Sequence, residues 1–347
     1  MPPQMSVLGV ATAPDLLRLL AIPLFAWVAI LDVKTRRVPS AVWIPLGMLG
    51  ALLVVWDGWV AYSAGVAAWE AFLIPTALSL GVLVPLAYCF WWFGGFGGAD
   101  AKAIMVIALV FPVLPTYTVA GVTMPIAGGE PLSPFSLSIL VNGLLIALVI
   151  PVVLVLTNAA AGRLTPVMAI GWPVPVERIP RTHGRLLETD TGPTFGGLDL
   201  DALRMYCRWR GTTLEELRRD PDRLRDPESL PEEPYPPTDG AVYASTGVTD
   251  GGHSAAADHT AADDRDSIGG KTESVTAIDD PWGAAAFLDA IEGSAYGTTP
   301  ADLREGLDVL VREETVWISP GTPFLVPIFA GLVLAVGYGD VLVTLVL

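Results

Sequence analysis

Residues 16–56 read LLRLLAIPLFAWVAILDVKTRRVPSAVWIPLGMLGALLVVW. Two apolar runs, Leu16 to Leu31 and Ala41 to Trp56, flank the polar segment Asp32 to Ser40. A bilayer core of ~30 Å takes about 20 residues of helix, so the pair reads as two membrane crossings joined by a short loop. The first run is not a cleavable leader, because it lacks a basic segment in front and a second crossing follows it. Lys34, Arg36 and Arg37 mark the joining loop as cytoplasmic. Four more apolar stretches lie outward from it: Ala64 to Phe93, with Pro75 and Pro85 as expected kinks, Ala103 to Val122, Phe135 to Thr157, and Pro323 to Leu347. The expectation is an all-α membrane protein with six transmembrane helices. Five lie in a membrane body over 1–163, an insert occupies 164–320, and the sixth helix lies in 321–347.

The charges fit that division. The chain is 52% hydrophobic and 16% charged yet carries a net charge of -16, a mixture that no single soluble domain explains. Residues 178–320 hold 14 Lys+Arg and 28 Asp+Glu, whereas the other 204 residues hold 6 and 8. The acidity therefore belongs to the insert. No bulk positive charge is available for nucleic acid, which excludes that partner. The cysteines, Cys89 and Cys207, lie 118 residues apart, which excludes a disulfide scaffold. Only three of the 20 basic residues are Lys. With the acidic excess this suggests a high-salt cytoplasm, and a GC-rich genome is the alternative source of the bias. Basic residues near span ends gather on one side when the N-terminus is outside: Lys34, Arg36, Arg37, Lys102 and Arg163, with Arg18 as the exception. The loops at 32–40 and 94–102 and the insert are then cytoplasmic, and both termini are outside. Within the insert, 198–219 and 281–312 have helical patterns. Residues 229–280, rich in Pro, Ser, Thr, Gly and Asp, are expected to be disordered.

This topology brings two carboxylates to one membrane face. Asp32 ends the first crossing, and Asp100 follows the glycine-rich loop Gly94-Gly95-Phe96-Gly97-Gly98. A carboxylate at membrane depth is a functional hypothesis by default. Two that share a proton can activate water and protonate an oxyanion without a covalent nucleophile. The glycines can take positive φ and bring backbone close to a substrate strand. Lys102 favours an ionised Asp100 or pairs with a substrate group. Taken singly, Asp32 also reads as a solvated acid paired with Arg36, and the glycines as a plain turn.

Asp32 through Pro39 fit D-x-x-x-R-x-[IV]-P, and Gly97-Gly98-Ala99-Asp100-Ala101-Lys102 fits G-x-G-D-x-K in its G-G-A-D-x-K form. In motif order, 68-residue separation and membrane body the chain resembles the type IV prepilin peptidases, and archaeal preflagellin (archaellin) peptidases most of all. Ser40 stands where many bacterial members have Asn, Ala99 replaces a motif Gly, and the insert falls outside the resemblance. The resemblance implies an aspartic endopeptidase that removes short basic leader peptides from prepilins or preflagellins, at the cytoplasmic edge of the bilayer. Asp32 and Asp100 would be catalytic, with Gly97, Gly98, Lys102, Arg36 and Pro39 in support. It implies no cofactor and no metal. Bacterial members often carry paired C-x-x-C motifs and N-methylate the product. Cys89 and Cys207 cannot form those motifs, so no methyltransferase activity is expected.

Other readings stay open. A proton-coupled secondary transporter could use the same carboxylates, but the chain lacks the mid-span acids and inverted repeat that reading needs. A membrane scaffold would be indifferent to the loss of either carboxylate. The presenilin and signal-peptide-peptidase group shares G-x-G-D but has a Tyr-Asp first motif, where this chain has Leu31-Asp32. Gly337-Tyr338-Gly339-Asp340 is a literal G-x-G-D match, expected to be a turn at the outer end of the last crossing. Gly270-Lys271-Thr272 lacks the upstream Gly of a phosphate loop. His183, His253 and His259 all lie in the insert, where His253, Asp258 and His259 could bind a metal but read better as linker.

Overall fold

The computed structural model describes residues 9–35, 38–93, 95–127, 132–236, 240, 280–291, 295–319, 321 and 323–346. They fall into two compact units, Met1–Val153 with Thr322–Leu347, and Leu154–Gly321. The first opens with α1 (Ala13–Arg18), started by the Thr12 cap and Pro14, and continues into α2 (Ala21–Thr35). A 3-10 turn, Ser40–Val42, leads into α3 (Trp43–Ala64), which stops at Gly65 with φ 109°. Next come α4 (Val66–Leu78), a π-helical turn (Ser79–Leu83), α5 (Val84–Trp92) and α6 (Gly98–Val110). A hairpin of β1 (Tyr117–Val119) and β2 (Val122–Met124) precedes α7 (Phe135–Ala160). The second unit contains β3 (Trp172–Pro175), β4 (Arg185–Leu186), β5 (Glu188–Thr189) and β6 (Gly192–Pro193). It continues with α8 (Leu200–Arg210), α9 (Leu214–Arg219), α10 (Pro221–Arg225), α11 (Ala284–Asp289), α12 (Pro300–Arg312) and β7 (Thr315–Ser319). The chain then rejoins the first unit as α13 (Leu325–Gly337) and α14 (Val341–Val346).

Four helical stretches are long and apolar enough to cross a bilayer: Ala13–Thr35, Ser40–Ala64, Val66–Trp92 and Phe135–Ala160. The other two expected crossings are shorter. α6 runs for 13 residues and ends at Phe111, because Pro112 and Pro115 cannot extend it. The aromatic and β-branched residues that follow pair as the hairpin instead. α13 also has 13 residues, and Gly339 at φ 117° separates it from α14. A π turn, Ser79–Leu83, lies between Pro75 and Pro85, where kinks were expected. A widened turn relieves the clash of the Pro85 ring with the carbonyl four residues back.

α6 is the central helix of this unit. Ala101, Ala103, Ile104, Val106, Ile107, Ala108 and Val110 are all buried, with α3 and α5 packed along it. Small residues set the close crossings. A Cβ on Gly331 would sit 2.4 Å from the Gly143 nitrogen, and one on Gly50 would sit 2.9 Å from Leu109 Cγ. The outer faces are apolar as well, with Met48, Val55 and Trp59 of α3 and Val152 of α7 exposed, as suits a bilayer.

The second unit has its own core of Tyr206, Trp209, Trp282 and Phe287 with Leu303, Leu307 and Leu310. It is not purely helical, which corrects the all-α expectation. β7 pairs antiparallel with β3 on one side and β4 on the other. Val316 and Ile318 of β7 alternate inward, while β3 carries Pro173 and Pro175, tolerable only on an edge. Most of the 229–280 segment lies outside the described residues. Its two ends do not: Arg204 Nε donates to the Gly240 carbonyl at 2.7 Å, and Arg304 pairs with Asp280 at 2.9 Å.

Candidate active site

Asp32 lies in the last turn of α2, and Asp100 is the third residue of α6. Both are half-buried, at the same end of the bundle and close enough for the Asp32 charge to act on Asp100. The Asp100 carboxylate lies against Gly97 at the start of α6. Gly97 is needed for room rather than for handedness. Its φ is -64°, and neither Gly95 nor Gly98 has positive φ, so the expected left-handed loop is not what these glycines supply. A Cβ on Gly97 would stand 3.0 Å from Asp100 Oδ2, tight enough to push the carboxylate aside.

Lys102 is exposed and donates from Nζ to Ser40 Oγ at 2.8 Å. That bond ties α6 to the segment that follows Asp32. Pro39 is exposed at the start of the 3-10 turn. Arg36, with Arg37 and Gly94, lies outside the described residues, as do His253, Asp258 and His259. Sequence reading noted Ser40 only as a departure from Asn and missed its bond to Lys102, since no spacing rule links positions 62 residues apart. Among the described residues no three His, Cys, Asp or Glu side chains gather as a metal group.

The opposite end of the bundle carries a different set of charges. Arg18, 1% exposed, pairs with Asp15 at 2.7 Å and with Asp57 of α3. Its Nε donates to the Val110 carbonyl at the far end of α6, at 2.9 Å. The literal G-x-G-D at 337–340 is a helix junction. Ser138 Oγ donates to Asp340 Oδ2 at 2.7 Å, the Val343 N–H donates to Oδ1 at 3.0 Å, and Asn142 Nδ2 donates to the Gly339 carbonyl at 2.8 Å.

Residues 19–156, which carry both motifs, match the type IV leader peptidase family. Residues 270–341 match the archaeal peptidase A24 C-terminus, type II. Over these residues the chain is similar to the type IV leader peptidase family. It is an aspartic-type peptidase, and its second match is archaeal. That second match begins inside the acidic insert, so the later part of the insert and α13 belong to the family pattern, contrary to the expectation that the insert stands outside it. No curated protein matches the chain.

Proposed function

We propose that this leader peptidase cleaves short basic leaders from prepilins or preflagellins at the cytoplasmic membrane face, with Asp32 and Asp100 as its catalytic pair. The observation that supports the reading is the placement of Asp32 in the last turn of α2 and Asp100 in the first turn of α6, on motif segments tied by the Lys102–Ser40 bond. Like charges held close share a proton, which leaves one base and one acid. The ionised carboxylate takes a proton from water as its oxygen attacks the scissile carbonyl. The protonated partner gives its proton to the developing oxyanion. When the tetrahedral centre collapses the C–N bond breaks, and the proton held by the first carboxylate goes to the departing amine. No covalent intermediate forms. Gly97 keeps the space beside Asp100, and the Lys102–Ser40 bond holds the two motif segments in register.

The proposed topology keeps six crossings, with α6 and α13 as the shortened fourth and sixth, and with both termini outside. The insert then faces the cytoplasm, where its acidity offers a weak, salt-screened attraction to a basic leader. Cys89 and Cys207 lie on separate units, in keeping with peptidase activity without methylation. The test is cleavage of a prepilin and a preflagellin in lipid vesicles by the wild type, Asp32→Asn and Asp100→Asn. Each variant is expected to lose at least about a hundredfold in rate. Normal cleavage by either one overturns the pair. If wild type leaves both leaders intact, the substrate assignment is wrong.

A further inference from the structure

Beside the glycine-rich loop lies a recess of about 330 Å³, walled by α5, α6, α7 and the start of α13, and every side chain lining it is apolar. Its floor, which includes Leu83, Ala87 and Ile104, is buried, while its lip at Leu86, Phe90 and Leu144 is open. Phe96 closes one end, its ring 5.1 Å from that of Phe90 and 5.5 Å from that of Phe324. Bundle interiors are close-packed. A hollow of this size between four helices is large enough to hold a ligand.

Its position relates it to the carboxylates. Phe96 directly precedes Gly97, the residue whose missing Cβ leaves room for the Asp100 carboxylate. Ile104 is four residues beyond Asp100 on α6 and so stands one turn deeper on the same face, about 6 Å along the helix. From Leu83 to Phe90, and from Leu137 to Leu144, the walls run for roughly 10 Å, or two helical turns. A peptide whose scissile carbonyl is at Asp100 therefore has the recess directly alongside its next residues.

We propose that this recess is the subsite for the first aliphatic side chains on the carboxyl side of the scissile bond. The inference rests on the proposed catalytic pair and adds the residues that choose the sequence cleaved. The occupant has to be apolar, since no polar group lines the walls. It has to be continuous with the bond being cut, since Phe96 of the loop before α6 and Ile104, one turn beyond Asp100, both line the recess. The open lip between α5 and α7 admits it sideways from the bilayer, so the substrate can keep its apolar segment in lipid while it docks. Phe96 and Phe324 limit how far a side chain can extend towards the carboxylates.

The experiment pairs the recess with the substrate. Leu140→Trp fills it without touching the carboxylates. Cleavage is measured in vesicles on two prepilin peptides, one with Leu at the first positions after the cut and one with Ala there. For the Leu peptide the variant should raise KM by about tenfold with kcat kept, as expected for misfitting a methylene or two. The Ala peptide should recover most of the loss. An equal effect on both peptides, or none on either, overturns the subsite. A photoreactive p-benzoylphenylalanine at position 144 gives an answer that does not depend on tolerating the Trp. Crosslinks should reach the peptide's residues just after the cut, and crosslinks to lipid alone overturn the proposal. The same crosslinking in Asp100→Asn separates the two readings: a retained crosslink supports the subsite even if the carboxylate roles prove wrong, and a lost one counts against it.

Discussion

Asp340 follows a literal G-x-G and Asp100 its G-G-A variant, and their surroundings differ in kind. Asp340 uses one oxygen on Ser138 and the other on the Val343 N–H, which makes it the cap of α14. Asp340→Asn keeps the oxygen that accepts from the Val343 N–H, and its amide NH2 can donate to the Ser138 hydroxyl instead of accepting from it, so cleavage and melting temperature should stay close to wild type. Asp340→Ala should cost about 1 kcal/mol of stability in detergent unfolding, with cleavage per folded molecule unchanged. A loss of cleavage without a loss of folding would move the catalytic assignment. At this scale the sequence singles out Asp32 and Asp100 by residue type and spacing, and the cleavage assay proposed above tests their role. The sequence was less legible where the need is empty space. The clash that a side chain at Gly97 would make with Asp100 Oδ2 depends on a carboxylate rotamer, which no local pattern encodes. The Lys102–Ser40 bond depends on tertiary approach and was likewise hidden.

Among the helices, α1, α3 and α6 are joined by Arg18, the residue that broke the positive-inside pattern. It is no topology signal, because Asp15 and Asp57 balance it and the Val110 carbonyl takes its Nε. Arg18→Met would leave the buried Asp15 and the half-buried Asp57 without their cation, a loss of about 3 kcal/mol in unfolding measurements. Adding Asp57→Asn to that variant should restore part of it. If the single variant melts within a degree of wild type, the network is not holding the bundle. The elements the sequence misjudged share one cause. Apolar content over 103–122 is the same whether the chain spans as one helix or stops at Pro112 and turns into a hairpin. In the second unit, β3 alternates with prolines and β4 is two residues long, so neither gives a strand period to read. β7, with Val316 and Ile318 inward, carries the period in full.

For the whole molecule, the separation of a greasy body from an acidic insert was legible, because charge and hydropathy sum over long stretches and survive errors at single positions. The inner order of the insert was not. Its core is set by contacts such as Tyr206 Oη donating to the Trp282 carbonyl, 76 residues on. Those contacts decide where the chain can be cut. Replacing 242–278 with a Gly/Ser linker spares the anchored Gly240 and Asp280, and should change cleavage and stability by no more than about 0.5 kcal/mol. Removing 229–280 also takes Leu230, which packs on Gly283, and should unfold the second unit. The same unit should answer to pH through Asp199, the cap of α8, whose carboxyl burial pushes up to about 6 against the pull of Arg185. The folded state then holds a proton that the unfolded chain releases near pH 4, so this contribution is full below pH 4 and is lost as pH rises through 6. Asp199→Asn keeps the cap and should flatten that slope, read as hydrogen exchange of the α8 amides from pH 4 to 8. The π turn at Ser79–Leu83 bears on how this protein can change length. Losing one residue from an α-helix turns everything beyond it by about 100°, which here would swing Ala87 and Phe90 away from the recess. A turn that already holds one residue in excess can give it up and become an ordinary turn. Gly81, exposed and with nothing within 4 Å of where its Cβ would be, is the place in the Val66–Trp92 crossing where relatives can differ by a deletion and still present the same wall.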